Sequence, residues 1–312
     1  MNVIHHEAAH GTRAAAEVRT VTVDGVRQVY RVAGAGPVCL VHSGGPGVHP
    51  EYLRIPALEE HLTMVHVDPV GSGDSDLLPD GDYSTSRYAR FAAAVLDDLG
   101  APTAYFLGHS HGGFVALQFA LDHPGRLDGL ILYDTAPVYG PELMAAATEE
   151  MAAFVERWPD RPEAAGAGRA WRARMAGTLE ITDDASKERY LQAVLPAYFA
   201  DHRGTAVRTG SVPALRATHD PNRLPADWDV RDRLGMIEAP VLVIVGTHDF
   251  VCPPRFAYEL QVGIPQARLC ELTASGHFGH IEETERFVAA VRDFVTTQDD
   301  NQDNTRDKEN AA

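Results

Sequence analysis

Apolar and polar residues alternate over residues 18–23 and again over 26–32. This is the pattern of half-buried strands, and Asp24-Gly25 between them is a two-residue hairpin signal. Residues 38–41, 64–68, 104–107, 130–133 and 241–245 are short apolar runs. Such runs fit strands covered on both faces. Residues 268–272 predict a last short strand. Helical spacing of apolar residues marks 88–99, stopped by Gly100, then 113–122, stopped before His123-Pro124, and finally 282–295. A hairpin followed by repeated strand–helix units predicts a mostly parallel sheet, flanked by helices, with antiparallel strands at its start.

The rhythm breaks between residues 137 and 233. Helical patterns at 143–157, 167–179 and 186–198 follow one another there without an intervening strand. Strand–helix alternation then resumes, so this segment reads as a helical lid inserted into a core made of residues 17–136 and 234–296. Residues 1–16 have no periodicity, and 297–312 are polar throughout. Both ends are expected to be disordered.

Composition narrows the function classes. The 312 residues suffice for one large α/β domain with an insertion, and 45% are apolar. The net charge is −17, from 44 acidic and 27 basic residues. That excess argues against nucleic acid or an anionic membrane as partner, because either needs a basic face. Cys39, Cys252 and Cys270 are too few and too scattered for a disulfide framework or a metal knuckle. The first 17 residues carry charges and no apolar run of signal-peptide length. A reduced, cytoplasmic setting is the expectation, with the chain a monomer or a homo-oligomer.

The strongest chemical signal is Gly108-His109-Ser110-His111-Gly112-Gly113, placed between a strand and a helix. Gly-x-Ser-x-Gly in that setting is a nucleophile elbow, whose tight turn lifts the serine hydroxyl above the sheet. A serine needs a histidine base and a carboxylate to orient it, and in this arrangement they follow in the order serine, acid, histidine. Asp249, after the run 241–245, and His277, in the loop after the last strand, fit that order. His280 competes with His277 but lies nearer the helix start. Asp134, at the end of the run 130–133, is the second choice of acid. The backbone N–H of His111 supplies one oxyanion donor, and the loop His42-Ser43-Gly44-Gly45-Pro46-Gly47 is placed to supply another.

These segments together resemble the proline iminopeptidase-like branch of the α/β-hydrolase family. The branch's His-Gly-Gly-Pro-Gly loop is similar to Ser43-Gly44-Gly45-Pro46-Gly47, which implies Gly45 as the second oxyanion donor. Its Asp-x-Arg-Gly-x-Gly-x-Ser segment is similar to residues 68–75. The resemblance implies the α/β-hydrolase fold and runs from about residue 18 to 295, skipping most of the lid. Three positions depart from it. Ser43 stands where the loop's first histidine would be. Val70 replaces an arginine, which implies the loss of one buried ion pair. No Trp-Glu pair exists in the lid to hold a substrate's α-amino group: Trp158 precedes Pro159 and Trp171 precedes Arg172.

Three functions follow in order. The first is hydrolysis of a small ester, lactone or amide. The second is an aminopeptidase of the proline iminopeptidase type, disfavoured by the missing Trp-Glu pair. The third is non-hydrolytic proton transfer, epimerisation or lyase chemistry, which His42, His109, His111 and His280 around the elbow make worth weighing, since fold does not determine function. A small molecule or short peptide is the expected substrate. No cofactor or metal is expected, because no ligand spacing of the known kinds occurs. Lid residues Met151, Phe154, Trp158, Trp171, Met175, Tyr190, Tyr198 and Phe199 either line a cavity or pack lid on core, the second being expected for most.

Overall fold

Asp24 and Gly25 both take positive φ, 51° and 79°. This is the backbone of a hairpin turn whose twist matches its strands. It joins β1 (Glu17–Val23) to β2 (Val26–Gly34) in antiparallel register, Val23 opposite Val26. The computed structural model describes residues 16–209, 214–224 and 227–310. Apart from Ala16, the N-terminal segment expected to be disordered lies outside them.

The chain continues through β3 (Val38–His42), β4 (Thr63–Val67), α1 (Thr85–Asp98), β5 (Ala104–His109), α2 (His111–Asp122) and β6 (Leu127–Tyr133). After β7 (Val138–Tyr139) come α3 (Pro141–Arg157), α4 (Pro162–Met175), α5 (Asp184–Val194) and α6 (His202–Thr209), then β8 (Trp228–Asp229). The last elements are β9 (Val241–Gly246), α7 (Pro254–Gly263), β10 (Ala267–Leu272), α8 (Gly279–Glu282) and α9 (Thr284–Asn310). Eight strands form one sheet in the order β1-β2-β4-β3-β5-β6-β9-β10. β2 meets β4 antiparallel, and from β4 to β10 every pairing is parallel.

Both faces of this sheet are covered, which is why its central strands are apolar without alternation. Leu40, Phe106, Leu132 and Val243 pack on one side with Phe91 of α1, Phe119 of α2 and Leu260 of α7. Val41, Leu107, Ile131 and Ile244 pack on the other with Phe287, Val291 and Phe294 of α9. α7 escaped the sequence reading because only Phe256, Ala257 and Leu260 of its ten residues are buried.

Between β6 and β9 the chain leaves the sheet. β7 and β8 pair with each other and bring the two ends of the excursion together. Its helices have their own apolar cluster, with Met151, Phe154, Trp171 and Val194 against Phe250 of the core. Ser84 caps α1, and Asp183 with Ser186 forms a reciprocal cap on α5.

Two expectations change. α9 does not stop at residue 295 but runs on to Asn310. The polar stretch lacks proline and glycine, and a helix already nucleated by packing propagates through such residues at little cost. The ion pair expected to be missing with Val70 is also present in another form. Arg31 of β2 reaches the carboxylates of both Asp68 and Asp74, and Asp68 further accepts the Asp74 backbone N–H at 2.8 Å. The cation comes from the neighbouring strand instead of the loop, where Val70 is fully buried.

Removing the partner of a buried carboxylate typically costs about 3–5 kcal/mol. Arg31 is partly exposed, so Arg31→Met is expected to destabilise the fold by about 2–3 kcal/mol. Urea unfolding checks this, and a change below about 0.5 kcal/mol, the usual range of a surface substitution, would show that the pair is not structural.

Candidate active site

Ser110 ends β5 and opens α2 with φ 55° and ψ −121°. An L-residue holds such a conformation only where its surroundings enforce it. Here its N–H donates to the Tyr133 carbonyl of β6 at 2.9 Å, and its own carbonyl accepts from Gly113 N–H at 2.8 Å and from Thr135 Oγ1 at 2.8 Å. Gly112 lies so close to β3 that a Cβ there would stand 2.1 Å from the His42 carbonyl oxygen. Glycine at this position is therefore a requirement of the close approach.

The loop after β9 carries Asp249, and the loop after β10 carries His277. Both are buried, and Asp249 Oδ2 meets His277 Nδ1 at 2.8 Å. Asp249 Oδ1 accepts the backbone N–H groups of Val251 and Cys252 at 2.7 and 3.2 Å. A hydrogen on Nδ1 leaves His277 Nε2 as the acceptor nitrogen. The Cys252 thiol, held well above its usual range by burial, interacts with the Ser110 side chain.

The other candidate acid, Asp134, is fully buried at φ 45° on the edge of β6. One oxygen accepts Gly246 N–H at 2.8 Å, and Oδ2 has no hydrogen-bond partner. Burial first, and the charge of Asp249 second, push its carboxyl well above the ordinary range. One atom each of His109, Asp134 and His277 lies within 4.8 Å of the others. The protein already engages both nitrogens of His109 and Nδ1 of His277. The trio therefore does not present a free ligand set.

His109 was legible in the sequence only as one of the histidines around the elbow. Its Nε2 faces the His277 carbonyl oxygen at 3.0 Å and must donate. Nδ1 then accepts the Tyr52 hydroxyl at 2.6 Å, and Tyr52 Oη accepts Gly44 N–H at 2.7 Å. One neutral imidazole thus ties the glycine loop to the backbone of His277. His280, the competing histidine, is spent in the same way: Nε2 donates to the Tyr52 carbonyl at 2.9 Å and Nδ1 accepts from Tyr133 at 3.0 Å. His42 donates from Nδ1 to the Ser43 carbonyl, while its Nε2 is buried without a partner.

A cavity of about 540 Å³ opens over Ser110. Gly45, His111 and His277 line it with Ser110. Trp171, Met175, Tyr190 and Tyr198 from the excursion face it, whereas Met151 and Phe154 pack into the excursion's own cluster and Phe199 into the core under the sheet. The aromatic residues singled out in the sequence are thus divided between the two uses. Lys187, Arg223 and Arg174 also line the cavity, and no motif had signalled them.

An alpha/beta hydrolase fold family model matches residues 36–284. The chain belongs to the alpha/beta hydrolase family. It is 32% identical over 297 residues to an uncharacterized protein of Mycobacterium tuberculosis, covering 88% of this chain and 80% of that one. It is 28% identical to a 2-hydroxymuconate semialdehyde hydrolase of Pseudomonas sp. (strain CF600), covering 90% and 94%. Among solved structures it is similar to the proline iminopeptidase of Mycobacterium smegmatis, with a TM-score of 0.68, 26% identity and coverage of 91% and 99%. Among the described residues, no helix of this family member is long and apolar enough to cross a membrane.

Burial holds His42 and His280 down to about 4, and His109 and His111 well below the ordinary value. Unfolded, these rings take a proton near pH 6.5; folded, His42 and His280 stay neutral until about pH 4, and His109 and His111 also stay neutral well below pH 6.5. The unfolded state therefore binds more protons in that window, and stability is lost as pH falls through it. Asp134 works in the opposite sense, because the folded state keeps a proton that the unfolded chain releases. His42→Leu is expected to make the dependence of unfolding free energy on pH shallower by one proton, about 1.4 kcal/mol per pH unit. Urea titrations between pH 7.5 and 5 measure this, and an unaltered slope would refute it.

Proposed function

We propose that this protein is a serine hydrolase that cleaves a small ester, lactone or amide through an acyl-enzyme. The observation that carries the reading is the buried Asp249–His277 pair, whose histidine lines the same cavity as a serine held in a strained elbow. Asp249 fixes the hydrogen of His277 on Nδ1, so Nε2 is the base. His277 takes the Ser110 proton as Oγ attacks the acyl carbon, then returns it to the leaving group. The backbone N–H groups of Gly45 and His111 receive the developing oxyanion. Gly45 has φ 151°, a conformation that turns the loop beside the cavity and that few other residues adopt. Water then releases the acid by the same steps in reverse.

The names of relatives support hydrolysis and do not agree on a bond. A proline iminopeptidase activity requires a carboxylate for the substrate's amino group. Glu149, Glu150, Glu156, Glu180 and Glu188 are not among the residues that line the cavity. Asp220 lines it, but its two oxygens accept from Tyr83 and from Asn222 N–H. The charge of the cavity thus favours the broader hydrolase reading over the aminopeptidase.

Ser110→Ala is expected to abolish fluorophosphonate labelling and to lower kcat/KM on activated esters by about 10⁴ or more while the fold survives. Labelling that persists in this variant would overturn the proposal. Asp249→Asn is expected to cost about 10⁴ in kcat by releasing the His277 tautomer. Asp134→Asn keeps the oxygen that accepts Gly246 N–H, and is expected to cost less than tenfold. Steady-state kinetics on the two variants separates the acids, and the reverse ranking would reassign the role to Asp134.

A further inference from the structure

Two cations that form no ion pair among the described residues line the cavity beside the elbow. Lys187, on α5, is largely buried, and its Nζ donates to the carbonyls of Pro46 and Thr218 at 2.9 and 2.7 Å. Those bonds seat it against the glycine loop and use two of its three hydrogens. Arg223 donates from Nη1 to Tyr88 at 3.0 Å and stacks its guanidinium over the Tyr83 ring at 3.6 Å. Its Nη2 is buried with no hydrogen-bond partner. Neither cation forms an ion pair among the described residues. Both act on His111, the residue after the nucleophile, and both line the cavity over Ser110.

Asp220, the one acidic group on the same wall, accepts from Tyr83 and from Asn222 N–H. Arg174, exposed on α4, adds a third positive charge to the lining. Burial and the neighbouring Arg223 charge lower Lys187 to about 8. Asp184 acts on Lys187 from beyond ion-pair distance, so the two partly buried cations keep capacity to hold an anion that enters the cavity.

We infer that the substrate carries a carboxylate, bound by the Arg223 guanidinium and the remaining Lys187 hydrogen while its acyl carbon lies at Ser110. This substrate class rests on the serine hydrolase reading and sharpens it. A guanidinium edge and one ammonium hydrogen match the two oxygens of a carboxylate. An aminopeptidase substrate would place an ammonium against the same two cations.

Matched esters test the inference. Mono-4-nitrophenyl glutarate puts the carboxylate on the acyl side and 4-acetoxybenzoate puts it on the leaving group; 4-nitrophenyl valerate and phenyl acetate are the neutral counterparts. One acidic ester is expected to exceed its neutral counterpart at least tenfold in kcat/KM. That preference is expected to fall at least tenfold in Arg223→Gln and in Lys187→Met. Neutral esters preferred in both pairs, or a preference that survives both substitutions, would overturn it. Because Arg223 also stacks on Tyr83 and its variant could misfold, glutarate binding to Ser110→Ala protein is measured by calorimetry alongside. Saturable glutarate binding that the neutral amide pentanamide does not reproduce supports the anion site even if fluorophosphonate fails to label the wild type, an outcome that would sink only the serine hydrolase reading. No glutarate binding to the Ser110→Ala protein, where fluorophosphonate does label the wild type, would sink the anion site alone.

Discussion

Everything at the site depends on holding Ser110 in a conformation that its own backbone disfavours. The strain, about 1–3 kcal/mol for such a residue, is borne by its neighbours. β6 accepts the Ser110 N–H, Gly113 and Thr135 take up its carbonyl, and Gly112 lets β3 pass where any side chain would collide. The parallel sheet makes this possible. Its central strands β3, β5 and β6 bring their carboxyl ends to one edge, where the loops that carry Asp249 and His277 also emerge.

Around that serine the protein keeps His42, His109, His111 and His280 neutral by burying them. The effect is structural as much as chemical. A neutral imidazole has one donor and one acceptor, so His109 joins two partners of opposite kind, the His277 carbonyl and the Tyr52 hydroxyl, and through Tyr52 it reaches Gly44. His280 does the same between Tyr52 and Tyr133. The glycine loop and the His277 loop, distant in sequence, are thereby held to a common position. The cost is sensitivity to acid, since a second proton on either ring destroys the pattern of donors and acceptors.

The cavity has the opposite sign to the molecule around it. An acidic exterior repels the anion that Lys187 and Arg223 would hold, so the attraction operates only at short range, inside the pocket, where screening by salt is weakest. The two cations are placed by different devices. Carbonyls of the glycine loop and of residue 218 position Lys187, whereas aromatic rings of the sheet side position Arg223.

The sequence by itself determined the layered α/β architecture, the hairpin at Asp24-Gly25 and the elbow at Ser110. Each is written in local terms: alternation, a turn dipeptide, glycines between a strand and a helix. It also preferred Asp249 to Asp134 and His277 to His280 from their places after strands, but it could not show which of them meet. Only tertiary structure decided that Asp249 meets His277 while His280 and Asp134 face other partners, since hydrogen bonds across 28 or 147 positions leave no local trace. The same holds for Arg31 replacing the ion pair expected of position 70, for Tyr52 and His109, and for Lys187 and Arg223. A charged side chain reads as solvated until packing shows that it is buried, and burial is a property of the folded chain alone.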